Sequence, residues 1–153
     1  MPDPQAAAAI TQVLEARFGE RLAVDPALDG LDTLARLAAR RVHRRWTDKP
    51  VDPALLRLLC ACALSSPSKS DLQQGDIVIV SDRSVRSKLE ALLPDNPWVT
   101  AAPVFLVFCG NGSRMPQISA LRGKPYPNDH LDAFFNAVVD GAIQGCYTFT
   151  RLR

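Results

Sequence analysis

Two short segments carry most of the chemistry open to this chain. Arg40-Arg41-Val42-His43-Arg44-Arg45-Trp46 is a dense cationic run closing on an aromatic residue. Guanidinium forks match phosphate oxygens bidentately, which ammonium groups do not. Arg40 and Arg44 are four apart, so they share a face whether the segment is helical or extended. The second segment is Ser65-Ser66-Pro67-Ser68-Lys69-Ser70-Asp71-Leu72-Gln73. Its hydroxyls, amide and backbone groups suit a polar ring whose edge alternates donors and acceptors. Each segment also has a plainer reading. The arginines suit a solvated helix end, where the dipole favours cations, or an arm lying on nucleic acid. The nucleic-acid option rests only on the arginines beside Trp46, with no helix-turn-helix or RNA-binding motif elsewhere. The hydroxyl-rich segment suits a polar connection between a helix and a strand.

Composition narrows the field. At 153 residues, 47% hydrophobic and 22% charged, the chain has the make-up of one soluble globular domain. A net charge of +2 is too small to make nucleic acid or a membrane surface the expected partner. No apolar run is long enough to span a bilayer, and Asp3 with its Ala tract does not read as a signal peptide. Cys60, Cys62, Cys109 and Cys146 form no C-x-x-C and read as reduced, mostly buried thiols of a cytosolic protein. His43 and His130 lie far apart and fit no metal-ligand spacing. Ser66-Pro67-Ser68-Lys69 fits Ser-x-x-Lys, but neither Ser-Asp-Asn nor Lys-Thr-Gly accompanies it.

The elements that position these segments follow from periodicity. Residues 5–18 read as an amphipathic helix, and Leu31, Leu34, Leu37 and Ala38 support a second helix running into the arginines. Asp52-Pro53 is an N-cap with Pro at the first helical position. The helix after it is apolar on most sides and is expected in the centre of the core. Asp76–Val80 and Pro103–Cys109 read as buried strands, with a helix capped by Asp82 between them. Residues 110–128 read as a long loop with at most one helical turn. Asp129 caps a last helix, whose Leu131, Phe134, Phe135, Val138, Val139, Ala142 and Ile143 give the strongest stripe in the chain. The order predicts an α+β sandwich. Two strands do not make a stable sheet alone, so either further short strands are present, or another chain completes the sheet, or the domain is incomplete.

These segments resemble the nitroreductase family. Members carry Arg-Arg-Ser-x-Arg-x-Phe ahead of an Asp-Lys-Pro-Val-like stretch; here the register reads Arg40 to Trp46, then Asp48-Lys49-Pro50-Val51. Members also carry Pro-Ser-x-x-Asn-x-Gln-Pro-Trp, matched by Pro67-Ser68-Lys69-Ser70-Asp71-Leu72-Gln73 and then Gln74-Gly75. The resemblance implies an FMN-dependent NAD(P)H oxidoreductase, with helices covering a small, mostly antiparallel sheet. It implies that Arg40, Arg41, Val42 and Arg44 lie at the FMN phosphate and ribityl end, Val42 standing where the family usually has Ser. It places Pro67, Ser68, Lys69, Ser70, Asp71 and Gln73 along the flavin ring. Asp71 in place of Asn sets a carboxylate beside the flavin, disfavouring an anionic reduced ring unless Lys69 or solvent offsets it. Trp46 replaces Phe in a core role. Tyr126 and Phe134 become candidates for a substrate pocket, with a core role for Phe134 equally open.

The resemblance further implies a small-molecule electron acceptor (a nitroaromatic, a quinone or an activated alkene), ping-pong transfer through the flavin, a cytoplasmic homodimer with FMN at its interface, and no nucleic-acid or membrane partner. On this reading residues 1–30 form an N-terminal helical extension and 31–143 the N-terminal portion of the family's domain. Residues 144–153 form a divergent or truncated tail, the C-terminal part of the domain being missing. Gly141 and Gly145 would each weaken the last helix by about 1 kcal/mol relative to Ala. The alternative is a non-catalytic remnant, or a flavin-binding subunit that needs a partner chain.

Overall fold

The computed structural model describes residues 1–149 (for Phe149, the backbone alone). The chain divides into two compact units, Met1–His43 and Arg44–Arg153. In the first, α1 (Pro4–Phe18) starts where Asp3 accepts from the Ala6 N–H at 2.9 Å and Pro4 sits in the first turn. It stops at Gly19, whose φ of +74° is a left-handed conformation open to glycine at little cost. Helix α2 spans Leu31–Ala38. Ala6, Ala7, Ile10 and Leu31 form a small buried core, with Leu14, Val24 and Ala35 packed against it. The helix ends before the arginines, which lie outside any helix or strand.

In the second unit, α3 (Pro53–Leu64) is capped by Asp52, as its sequence predicts, with the Ala54 N–H donating at 2.7 Å. Only Leu59 and Ala63 of this helix are buried, while Leu55, Leu58 and Leu64 are exposed, so it edges the core instead of filling its centre. Burial pushes the Cys60 thiol up, which keeps it protonated at neutral pH. Cys62 and Cys109 are also half-buried, but Cys146 is exposed.

Strands β1 (Gly75–Ile79) and β2 (Leu106–Gly110) pair antiparallel, with Gly75 opposite Gly110 and Ile79 opposite Leu106. Among the described residues they make the whole sheet, and Val78 and Ile79 stay exposed. Between them α4 (Arg83–Ala91) begins at Asp82, which accepts from the Ser84 and Val85 amides and the Ser84 hydroxyl. The stretch expected to be a loop contains α5 (Arg114–Leu121). Its weak apolar periodicity hid it, but it makes anchoring contacts described below.

Helix α6 (Leu131–Phe149) packs on β2, β1 and α3. Its first turn is closed by His130, whose Nδ1 accepts from the Asp132 N–H at 3.3 Å, and not by Asp129. The helix runs through both glycines, and at Gly141 the missing side chain lets it lie against the sheet backbone. A Cβ on Gly110 would come within 2.7 Å of the Ala137 carbonyl, and one on Gly141 within 3.3 Å of the Cys109 carbonyl carbon. The buried face of α6 is therefore Ala137, Asp140, Gly141, Gln144 and Thr148. The large apolar residues Leu131, Phe134, Phe135, Val138 and Val139 face outward, 68%, 60%, 55%, 46% and 50% exposed. Among the described residues no helix is long and apolar enough to cross a membrane.

Two outcomes test this account. Gly110→Ala overpacks the helix–sheet contact and lowers the unfolding free energy by about 1–3 kcal/mol, whereas Gly112→Ala, with open space around it, leaves chemical denaturation unchanged. The Asp82 carboxyl lies below its ordinary range, held there by the Ser84 hydroxyl and then by the Val85 and Ser84 amides. A depressed folded pKa contributes stability above the ordinary carboxylate range and loses it as pH falls through the folded value. The melting advantage of the wild type over Asp82→Ala is thus present at neutral pH and shrinks in acid; a difference independent of pH would contradict the cap.

Candidate functional site

The site is built on a polar stripe of α6. Asp140, Gln144 and Thr148 recur every four residues, so they share one face, and each is 1% exposed. The two oxygens of Asp140 take different amides: Oδ1 accepts from the Lys69 N–H at 3.2 Å and Oδ2 from the Gln74 N–H at 3.0 Å. These amides bracket the hydroxyl-rich loop. Between them the chain makes a 3-10 turn, and Ser70, Asp71 and Gln73 take φ values of +52°, +55° and +50°. Left-handed backbone at non-glycine residues costs on the order of 1–2 kcal/mol each, and it persists only where the surroundings over-determine it.

The loop is held from further directions. The Ser68 hydroxyl accepts from the Gln73 N–H at 3.1 Å. The Gln73 carbonyl accepts from the Arg114 guanidinium, which also pairs with Asp76. Asn111 closes the exit: its N–H donates to the Gln74 carbonyl at 2.6 Å, and its side-chain amide donates to Asp76 at 2.6 Å. Among the described residues, both polar atoms of the Gln74 side chain and Oε1 of Gln144 are buried without a hydrogen-bond partner. Such orphans cost on the order of 1–3 kcal/mol each. A Cβ on Gly75 would lie 2.5 Å from the Gln144 amide, so a larger residue there would require that amide to move.

Fixed in this way, the loop exposes Lys69, Ser70 and Asp71 and leaves Ser68 and Gln73 half-buried. Lys69 reaches Asp132 at 3.8 Å, and the Asp71 carboxylate is met by the Gln73 side-chain amide at 3.0 Å. The result is a rigid rim of ammonium, hydroxyl, carboxylate and amide groups, alternating donors with acceptors.

The second unit also contains Arg44, whose guanidinium lies 6.0 Å from the centre of the Trp98 ring, within cation–π range. Trp46 is 40% exposed, and its indole N–H donates to the Trp98 carbonyl at 2.9 Å, so its role is a tether and not core packing. The turn carrying Trp98 is pinned by Arg86. Its Nη2 donates to the carbonyls of Val99, Thr100 and Ala102 at 3.2, 3.3 and 2.6 Å, while its Nε pairs with Glu90 at 2.7 Å. Arg40, Arg41 and Val42 belong to the first unit, where the Arg40 carbonyl accepts from Arg17 and Val42 is exposed. Tyr126 is half-buried ahead of α6. Phe134 is exposed and meets Phe135 edge-on at 5.8 Å.

Pro67 to Gln73 are therefore brought together as one loop. Sequence reasoning missed the residues that hold it, Asp140, Arg114 and Asn111, and also Arg86, which holds the turn of Trp98. Two of them left a readable signal. Asp140 interrupts an apolar helix with polar partners four and eight residues on, and Arg86 stands four before Glu90.

Comparison with known proteins places this geometry in context. The model of the nitroreductase family matches residues 37–120. An FMN reductase (NAD(P)H) of Bacillus subtilis is 32% identical over 83 residues, covering 54% of this chain and 33% of that protein. An oxygen-insensitive NADPH nitroreductase of Salmonella typhimurium is 36% identical over 86 residues, covering 56% and 36%. Among solved structures, NfrA2 of B. megaterium superposes with a TM-score of 0.72 at 26% identity over 78% of this chain and 49% of its own. The NADPH:FMN oxidoreductase from Vibrio harveyi complexed with NAD+ gives 0.69 at 25%, over 78% and 50%. The chain spans about a third of these curated relatives and about half of these solved structures.

The Arg86 clamp predicts that Arg86→Met, which removes the guanidinium from three carbonyls and from Glu90, lowers stability by about 2–3 kcal/mol. It also changes the indole fluorescence of the folded protein, since both tryptophans, Trp46 and Trp98, meet at that turn. Unchanged emission in a folded variant would contradict the clamp.

Proposed function

This chain belongs to the nitroreductase family, and on that premise we propose that it binds FMN and serves as an NAD(P)H-dependent oxidoreductase. One observation carries the proposal: the Pro67–Gln73 loop is held in a strained, over-determined conformation that turns its polar groups outward. The donor set fits FMN. Lys69, Ser70, Asp71 and Gln73 offer donors and acceptors to the pyrimidine edge of a flavin, and Arg40, Arg41 and Arg44 offer guanidiniums to its phosphate. Similar proteins named as an FMN reductase and an NADPH nitroreductase support the same reading.

The chemistry supplied by bound FMN is hydride acceptance at N5 from NAD(P)H and redelivery to a nitroaromatic, quinone or activated alkene, in ping-pong order. The chain's own part is to bind and orient. Asp71 faces the amide of Gln73 and Lys69 pairs with Asp132, so these side chains hold their positions with no ion pair between them. Val42 brings no hydroxyl to the phosphate end, which leaves that end to the arginines and the backbone. Tyr126 and the exposed ring of Phe134 are proposed to line the substrate pocket. The outward apolar face of α6 supports a homodimer with the flavin at the interface, because exposed apolar faces of this kind mark interaction surfaces. The proposed setting is the cytoplasm. A two-stranded sheet and the same apolar face also support the second reading, a flavin-binding subunit that works only with a partner chain.

Titration with FMN and riboflavin tests the proposal. The wild type quenches and binds FMN more tightly than riboflavin. Arg44→Ala weakens FMN about tenfold or more while leaving riboflavin unchanged, since a charge-assisted contact is lost. A folded wild type that binds neither flavin contradicts the proposal. Flavin binding without reduction by NADH or NADPH favours the second reading.

A further inference from the structure

We infer that Asp140 is a positioning residue for the proposed flavin site. Its buried carboxylate grips the two amides that bracket the Lys69–Gln73 loop and so sets the direction in which Ser70, Asp71 and Gln73 present their groups. The inference rests on the flavin-binding reading above and adds to it a residue on a distant helix.

Asp140 is 1% exposed, and among the described residues no cation pairs with it. A buried carboxylate without a counter-charge is costly unless hydrogen bonds replace its water. Here the replacements are two loop amides, one on each oxygen, at 3.2 and 3.0 Å. Both belong to residues adjoining the three left-handed positions Ser70, Asp71 and Gln73. A loop with three strained residues relaxes unless both of its ends are fixed, and one rigid group reaching both ends fixes them together. The carboxylate can do so because α6 lies close against β2 at Gly110 and Gly141, which seats the adjacent Asp140 on the buried face. Arg114 and Asn111 hold only the exit of the loop, at Gln73 and Gln74; the backbone at the entry, Lys69, is held to α6 by Asp140, with, among the described residues, only the exposed side-chain pair of Lys69 and Asp132 beside it.

Amide hydrogen exchange and FMN titration on the wild type and Asp140→Asn decide the matter. Asparagine keeps the shape and replaces one accepting oxygen by an NH2 group that faces a loop amide. The expected result is an exchange rate at Lys69 or Gln74 raised about tenfold or more, with β2 and α6 amides unchanged, and an FMN Kd raised by a similar factor. A folded variant with wild-type FMN affinity overturns the inference. So does weakened affinity with unchanged loop protection, and so does a uniform loss of protection across α6 and β2, which marks a role in general folding. If Asp140→Asn does not fold, the flavin-free wild type decides alone. Slow exchange at both Lys69 and Gln74 supports the grip, and exchange at the rate of unprotected amides overturns it. A wild type that is protected at these two amides but never binds FMN contradicts the flavin reading while sustaining the grip itself.

Discussion

The close approach of α6 to the sheet governs the rest of this structure. Gly110 and Gly141 remove the side chains that would hold helix and strand apart, and Ala137 fills the gap between them. At that separation the helix face one turn further on meets the loop leading into β1, and polar residues are found there. Asp140 then becomes a reachable acceptor for backbone amides. A helix standing further off would leave that carboxylate buried with nothing to accept from, at a cost the unit could not offset. Glycine in the helix interior costs about 1 kcal/mol relative to alanine, and the packing distance it permits explains why it is tolerated at Gly141.

The same constraint turns the helix inside out relative to a simple amphipathic reading. The buried face of α6 is small and polar, while its bulky apolar residues look outward. That is the pattern of an element with two jobs, one face positioning a loop and the other awaiting cover. The loop itself concentrates strain: three left-handed residues, a carboxylate clasp and an arginine on the exit carbonyl. Strain of this kind, at an exposed rim of mixed donors and acceptors, belongs with binding more than with folding, and it agrees with the proposed flavin contact.

Much of this was legible in the residues. The caps at Asp52 and Asp82 and the positions of the two strands announced themselves, because local side-chain chemistry decides them, although β2 begins at Leu106 and not at Pro103. The family likeness read from the arginine run and the Pro-Ser motif agrees with the nitroreductase match over residues 37–120. The burial direction of α6 was not legible, since a periodic stripe reports amphipathicity and not which neighbour covers it. Helix α5 was missed for want of a stripe, and Trp46 was placed in the core because a large aromatic ring gives no sign of a tether to Trp98. The grip of Asp140 spans about seventy residues of sequence, so no local pattern could give it.

The central claim is that the loop clasped by Asp140 is where the flavin ring is bound. Backbone amide chemical shifts followed during titration of the isotopically labelled protein with FMN test it most directly. The account predicts that the largest shifts fall on Ser68 to Gln74 and on the backbone around Arg44. Shifts confined to α1 and α2, or saturable binding that leaves the loop amides unmoved, would contradict it.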